Sequence, residues 1–121
     1  MGKIESFEDI LSWQKGRELV KEIYRVTSKS PFSKDFALRE KIRKACISIV
    51  SNIAEGFERK TDGQFIYFLN VAKGSAAEVK SQLYLALDLK YIDKEEFDYL
   101  IDKISEISKL LYGLITYLQN Q

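Results

Sequence analysis

From Leu38 to Arg59, LREKIRKACISIVSNIAEGFER, apolar and polar positions alternate at helical spacing, and the stretch predicts one long helix with two distinct faces. Leu38, Ile42, Ala45, Cys46, Ile49, Ile53 and Phe57 fall within one stripe wide enough to face a core. Lys41, Lys44, Ser48, Asn52, Glu55 and Arg59 recur at steps of three and four and form a second, polar line about a quarter-turn or more away. Serine and asparagine are poor mid-helix residues, because their side chains compete for backbone hydrogen bonds. Ser48 and Asn52 are therefore expected to be used by something outside the helix.

The same periodicity marks three more helices. Ser6 followed by Asp9 resembles a capping box, and from Phe7 the residues Trp13, Leu19, Val20, Ile23, Tyr24 and Val26 keep to one side. They predict helix one as far as Ser28, with Trp13 and Tyr24 in the core and a solvated mixed-charge face of Lys15, Glu18, Lys21, Glu22 and Arg25 opposite. The only proline, Pro31, lies in the polar connection SKSPFSKD, where Ser33 is the expected cap of helix two and Phe32 with Ala37 a weak staple. Gly56 inside helix two costs about 1 kcal/mol relative to alanine, which close packing would explain.

Thr61 and Gln64 predict the cap of helix three, after a connection so short that helices two and three must be antiparallel neighbours. Phe65, Leu69, Ala72, Ala76, Val79, Leu83 and Leu87 form its core stripe. A second face of Tyr67, Val71, Gly74, Ser75, Glu78, Gln82 and Leu85 is small or apolar enough to predict burial on two sides. Asp93 and Glu96 cap helix four, whose seam of Phe97, Leu100, Ile104, Ile107, Leu111, Leu114 and Leu118 keeps steps of three and four throughout. The expected fold is all-α: an up-down-up-down antiparallel four-helix bundle, one domain over residues 1–121. With the turn between helices two and three near Lys60 to Asp62, the register brings Ser48 near Gly74 and Ser75, and Lys44 near Glu78. Hydrogen bonding among Ser48, Asn52 and Ser75 would then satisfy these groups.

Composition narrows the chemistry. With 121 residues, 45% of them hydrophobic, the chain is long enough to bury a core. Nineteen basic and eighteen acidic residues leave a net charge of +1, so any attraction to nucleic acid must come from a local patch (Lys+Arg 19, Asp+Glu 18). Apolar runs fall short of the roughly 20 residues that span a bilayer, and MGKIESFEDI lacks a signal peptide's apolar core. A soluble, cytoplasmic protein with no membrane partner is expected; Met1-Gly2 with Ser6 is too shallow a match to expect a myristoyl group. The absence of histidine and the single cysteine remove most metal and general-base chemistry, and Cys46 reads as a core residue in a reducing compartment. No P-loop, CxxC or ExxH pattern occurs, and Glu55 and Glu78 each have basic residues of their own helix nearby, so no catalytic residue, metal or cofactor is expected.

WQKGRELV, the whole of LREKIRKACISIVSNIAEGFER, and FIYFLNVAKGSAAEVKSQLYLALDLKYI, with SNIAEG and GSxxE the most distinctive elements, resemble the "four helix bundle protein" family over about Ser6 to Tyr117. Those small bacterial proteins were first found encoded by intervening sequences within large-subunit ribosomal RNA genes, and the accessory variability protein of diversity-generating retroelements is related to them. The resemblance implies a bundle that assembles into a ring-like homopentamer and suggests nucleic-acid binding.

Local charge supports the assembly better than the binding. From Ser33 to Lys60, Lys34, Arg39, Lys41, Arg43, Lys44, Arg59 and Lys60 outnumber Asp35, Glu40, Glu55 and Glu58, leaving +3. From Asp93 onward Asp93, Glu95, Glu96, Asp98, Asp102 and Glu106 outnumber Lys94, Lys103 and Lys109, leaving −3. The basic helix either pairs with the acidic one, within or between subunits, or binds phosphate. For RNA or DNA the first candidates are Arg39, Arg43, Arg59 and Lys60, with Lys41 and Lys44 turned to helix three or a neighbouring copy. No aromatic single-strand platform accompanies these charges, so non-specific phosphate contact is expected to dominate. Self-assembly is expected through the second face of helix three and parts of helix one or two, with Gly74 permitting close approach, Gly74→Leu harming fold or assembly, and Ser48, Asn52, Glu55, Gly56, Ser75 and Glu78 as structural or interface residues. The alternative is a protein-binding scaffold without nucleic-acid affinity.

Overall fold

The computed structural model describes residues 4–121, so Met1 and Gly2, and with them the lipidation match, lie outside the described residues. Four helices, α1 (Leu11–Thr27), α2 (Phe36–Glu58), α3 (Asp62–Asp88) and α4 (Lys94–Gln119), carry the fold, with short 3₁₀ turns at Phe7–Asp9 and Phe32–Lys34. Each packs along its neighbours in order, α1 on α2, α2 on α3, α3 on α4 and α4 back on α1. The result is an up-down-up-down four-helix bundle in which α2 and α4 face each other across a diagonal.

The apolar stripes meet in one cluster. Leu19 and Ile23 of α1, Ile42, Ile49 and Ile53 of α2, Leu69 and Leu83 of α3, and Leu100, Ile104, Ile107 and Leu111 of α4 are completely buried. Each such side chain contributes about 1.5–3 kcal/mol relative to exposure, so the cluster is the main source of cohesion. The α4 seam is buried at every position read from its spacing, from Phe97 to Leu118. Cys46 is also fully buried, and burial pushes its thiol up to about 12, so no thiolate forms near neutral pH.

Two helix starts differ from their sequence reading. Asp9 does accept from the Ser6 backbone N–H, at 3.2 Å, but the motif closes the first 3₁₀ turn. The chain then extends through buried Ile10 before α1 begins at Leu11. At α2 the cap is Asp35, whose Oδ1 accepts from Leu38 N–H at 3.1 Å, while Ser33 belongs to the second 3₁₀ turn. The staple fails as well, since Ala37 is exposed. Phe32 instead stacks on Tyr91 with ring centroids 5.1 Å apart, which anchors the turn to the α3–α4 connection and delays the helix by two residues (Phe32–Lys34, then Asp35). Thr61 and Asp93 cap as their motifs require, accepting from Gln64 N–H at 3.3 Å and Glu96 N–H at 2.8 Å.

The Asp35 cap makes a pH prediction. Its carboxylate accepts from Leu38 N–H and from the Tyr91 hydroxyl, the latter at 2.8 Å, and these bonds hold it below the ordinary carboxylate range. A depressed folded value means stability that is present above the unfolded value of about 3.9 and is lost as pH falls through the folded one. Thermal melts of Asp35→Asn are expected to show lower stability than wild type at neutral pH and a shallower loss below about pH 4. Parallel acid limbs in the two proteins would remove Asp35 from this role.

Candidate assembly and nucleic-acid surfaces

Between α2 and α3 the register expected from the sequence is realised. Ser48 and Ser75 share a hydrogen bond of 2.8 Å, and Asn52 Nδ2 donates to the Ser48 carbonyl at 2.8 Å and to Ser48 Oγ at 3.0 Å. Mid-helix polar residues thus clasp two helices, each bond contributing about 1 kcal/mol and each group sparing its neighbour an unsatisfied burial. Above the clasp lies a groove of about 300 Å³ lined by Lys41, Lys44, Ser48, Ser75, Glu78 and Gln82. Lys44 and Glu78 share this groove, as the register requires, yet form no ion pair. Gln82, which also lines the groove, has its Oε1 buried without a donor among the described residues.

The glycines divide by role. A Cβ on Gly56 would sit 2.7 Å from Phe68 Cβ and 3.3 Å from the Phe65 carbonyl, so close packing of α2 on α3 explains this residue. Gly16 does the same for α1 on α2, since its Cβ would meet Val50 at 2.7 Å, a contact the sequence reading missed. Gly74 meets nothing within 4 Å. Within the subunit it therefore closes no helix pair, so of the expected harm of Gly74→Leu to fold or assembly, the open space favours the effect on assembly. The second face of α3 splits accordingly: Ser75 turns into the clasp, whereas Tyr67, Val71 and Leu85 remain exposed beside Gly74 and Glu78.

The basic candidates also divide. Arg59 and Lys60 are exposed at the α2–α3 turn, Arg59 paired with Glu55 at 3.0 Å and Lys60 with Glu58 at 3.9 Å. Glu55 is thereby a structural partner of its own helix. Arg39 is half-buried, bonding the Ser33 carbonyl at 2.9 Å and Glu40 at 3.0 Å. Arg43 is not the exposed contact the sequence suggests: it donates to Thr27 Oγ1 at 2.8 Å and Ser28 Oγ at 3.2 Å, tying α2 to the carbonyl end of α1. Lys41 and Lys44, expected to face helix three or a neighbouring copy, line the groove beside Ser75, Glu78 and Gln82 of α3, where they are exposed and free of ion pairs among the described residues.

The sequence reading also missed a set of rings. Arg43 lies 4.2 Å over Tyr24, Arg39 4.5 Å over Phe36 and Arg17 5.6 Å over Trp13. Tyr24 is consequently an exposed edge residue of α1 rather than core. Trp13–Arg17 and Phe36–Arg39 stand at helical-neighbour spacings, but Trp13 reads as core and Arg39 as a phosphate contact, so the spacing alone does not pair them. Among the described residues no cluster of three or more His, Cys, Asp or Glu side chains is placed to hold a metal, and no helix is long and apolar enough to cross a membrane.

Known proteins share this architecture. A crystal structure from Bacteroides thetaiotaomicron, of a protein of unknown function from the S23 ribosomal protein family, superposes with a TM-score of 0.81 at 27% identity, covering 88% of this chain and 96% of that one. No curated protein matches the chain. The model of the 23S rRNA-intervening sequence protein family matches residues 8–113. With nearly the whole bundle inside that match, the chain belongs to the 23S rRNA-intervening sequence protein family.

Proposed function

We propose that the chain is a non-enzymatic subunit of a homo-oligomeric ring, five copies as the family resemblance implies, that binds RNA or DNA without reading sequence. One observation carries this reading: the basic α2 and the acidic α4 lie on a diagonal of the bundle, and among the described residues no ion pair joins them inside a subunit. Lys41 and Lys44 of α2 form no ion pair among the described residues, and Asp102 and Glu106 of α4 are exposed around a hollow of about 490 Å³ that Tyr99, Lys103 and Lys109 also line. Head-to-tail contact between these edges is a heterologous interface, which closes into a ring when the rotation permits. The exposed Tyr67, Val71 and Leu85 beside open Gly74 supply apolar area next to the lysines.

Such a ring leaves the α1 side of α2 outward and repeats its cations by symmetry, which raises a weak phosphate affinity by multivalency. Filter binding of structured RNA and duplex DNA across a salt series tests it. Wild type is expected to bind at low salt with a steep loss as salt rises, and Arg59→Glu with Lys60→Glu, both exposed, to bind more weakly. No retention of either nucleic acid at low salt would replace this reading by a protein-binding scaffold.

A further inference from the structure

We infer that the outer face formed by α1 and α2 is a stacking surface for single-stranded nucleic acid. This rests on the nucleic-acid part of the proposed function and not on the ring, because one subunit carries the whole surface. Three arginine–ring pairs lie along it: Arg17 over Trp13, Arg43 over Tyr24 and Arg39 over Phe36. Antiparallel packing, fixed by Gly16 against Val50 and by Arg43 bonded to Thr27, orders them from the Trp13 end towards the start of α2. From Trp13 to Tyr24 alone the rise along α1 is about 16 Å, the reach of several extended nucleotides.

The groups suit a strand whose bases are free. Phe36 is 66% exposed and has no polar atom, so water is a poor neighbour for it and a base a good one. Tyr24 and Ile47 are exposed between the outer pairs. A guanidinium fixed over a ring presents its second flat face outward, where a base stacks while the charge attracts the adjoining phosphate. Arg43 is held there by Thr27 and Ser28, which lowers the ordering cost on binding.

Charge selects the partner class. Arg17, Lys21, Lys29 and Lys34 are exposed and form no ion pair among the described residues. Against them stand Glu40, already paired with Arg39, and Glu18, which shares with Arg17, Lys21 and Gln14 a hollow of about 300 Å³ beside Trp13. An uncompensated cationic face interleaved with rings matches a polyanion that bears planar groups. A duplex supplies the phosphates but keeps its bases stacked on one another, so it meets only half of this surface.

Trp13 is the only tryptophan, so its fluorescence reports on one end of the surface directly. The full chain is titrated with a thymidine oligonucleotide of about 12 residues, its uridine counterpart and a duplex of equal length, at fixed salt. Single strands are expected to quench Trp13 and to bind about tenfold more tightly than the duplex. Phe36→Ala, at an exposed position, is expected to weaken single-strand binding about tenfold with duplex binding unchanged, and Arg17→Gln to weaken both and abolish the quench. Circular dichroism melts of the two variants guard against misfolding. Equal affinity for strand and duplex, no quench and a neutral Phe36→Ala overturn the stacking surface while leaving phosphate binding in place. Failure of every nucleic acid to bind at low salt overturns both.

Discussion

Gly56→Leu is expected to lower the stability of the subunit by about 3 kcal/mol, a large part of the 5–15 kcal/mol typical of a domain. The cause is geometric. The first added atom already lies 2.7 Å from Phe68 Cβ, 3.1 Å from Phe65 Cδ1 and 3.3 Å from the Phe65 carbonyl oxygen. Phe68 Cβ and the carbonyl are fixed to the α3 backbone, so no rotamer change relieves the clash and the helices must separate. Separation also pulls on the Ser48–Ser75 bond about two turns away and opens the α2–α3 half of the core. Gly56→Ala meets the same contacts with fewer atoms and regains about 1 kcal/mol of helix propensity, so its loss is smaller. At about 4 °C per kcal/mol, thermal melts should place Gly56→Leu about 12 °C below wild type and Gly56→Ala between them. Gly74→Ala, with open space at its Cβ, should not lower the subunit's stability.

Reversal of charge at one edge is expected to have the largest effect on assembly. Lys41 and Lys44 are exposed and form no ion pair among the described residues, so Lys41→Glu with Lys44→Glu should leave the subunit folded and dissociate the proposed ring. The reciprocal pair Asp102→Lys with Glu106→Lys, at the exposed α4 edge, should dissociate it likewise. Like charges brought face to face cost several kcal/mol, enough to move micromolar assembly to monomer. Mixing the two variants should restore one heterologous contact per pair, and combining all four substitutions in one chain should restore assembly. Sedimentation velocity reads each case. Undiminished assembly in both reversed proteins would remove these edges from the interface.

Legibility followed the range of the interactions. The α4 seam, the Thr61 and Asp93 caps and the Ser48–Ser75 clasp were readable because each rests on local spacing or on a short turn that fixes register. The bundle itself, and membership of a family of such bundles, followed from the same spacing and phrases. The start of α2 was not readable. Ser33 and Asp35 are both competent caps, and the choice is made by Phe32, which reaches across to Tyr91 on a distant connection. Arg43 was misread for a related reason: its partners Thr27 and Ser28 belong to another helix, and nothing local distinguishes it from a solvated arginine. Tyr24 moved out of the core with it, since the guanidinium covers the ring at the edge of the stripe. The separation of basic from acidic residues is visible along the chain, but only the packing order shows that α2 and α4 are not packed neighbours.

The most direct test of the assembly is the solution mass of the wild-type protein, measured by light scattering coupled to size exclusion at micromolar concentration and moderate salt. The ring predicts one species of about five subunits, each of 14.0 kDa, that shrinks in the charge-reversed variants. A single species of 14.0 kDa for wild type would contradict it.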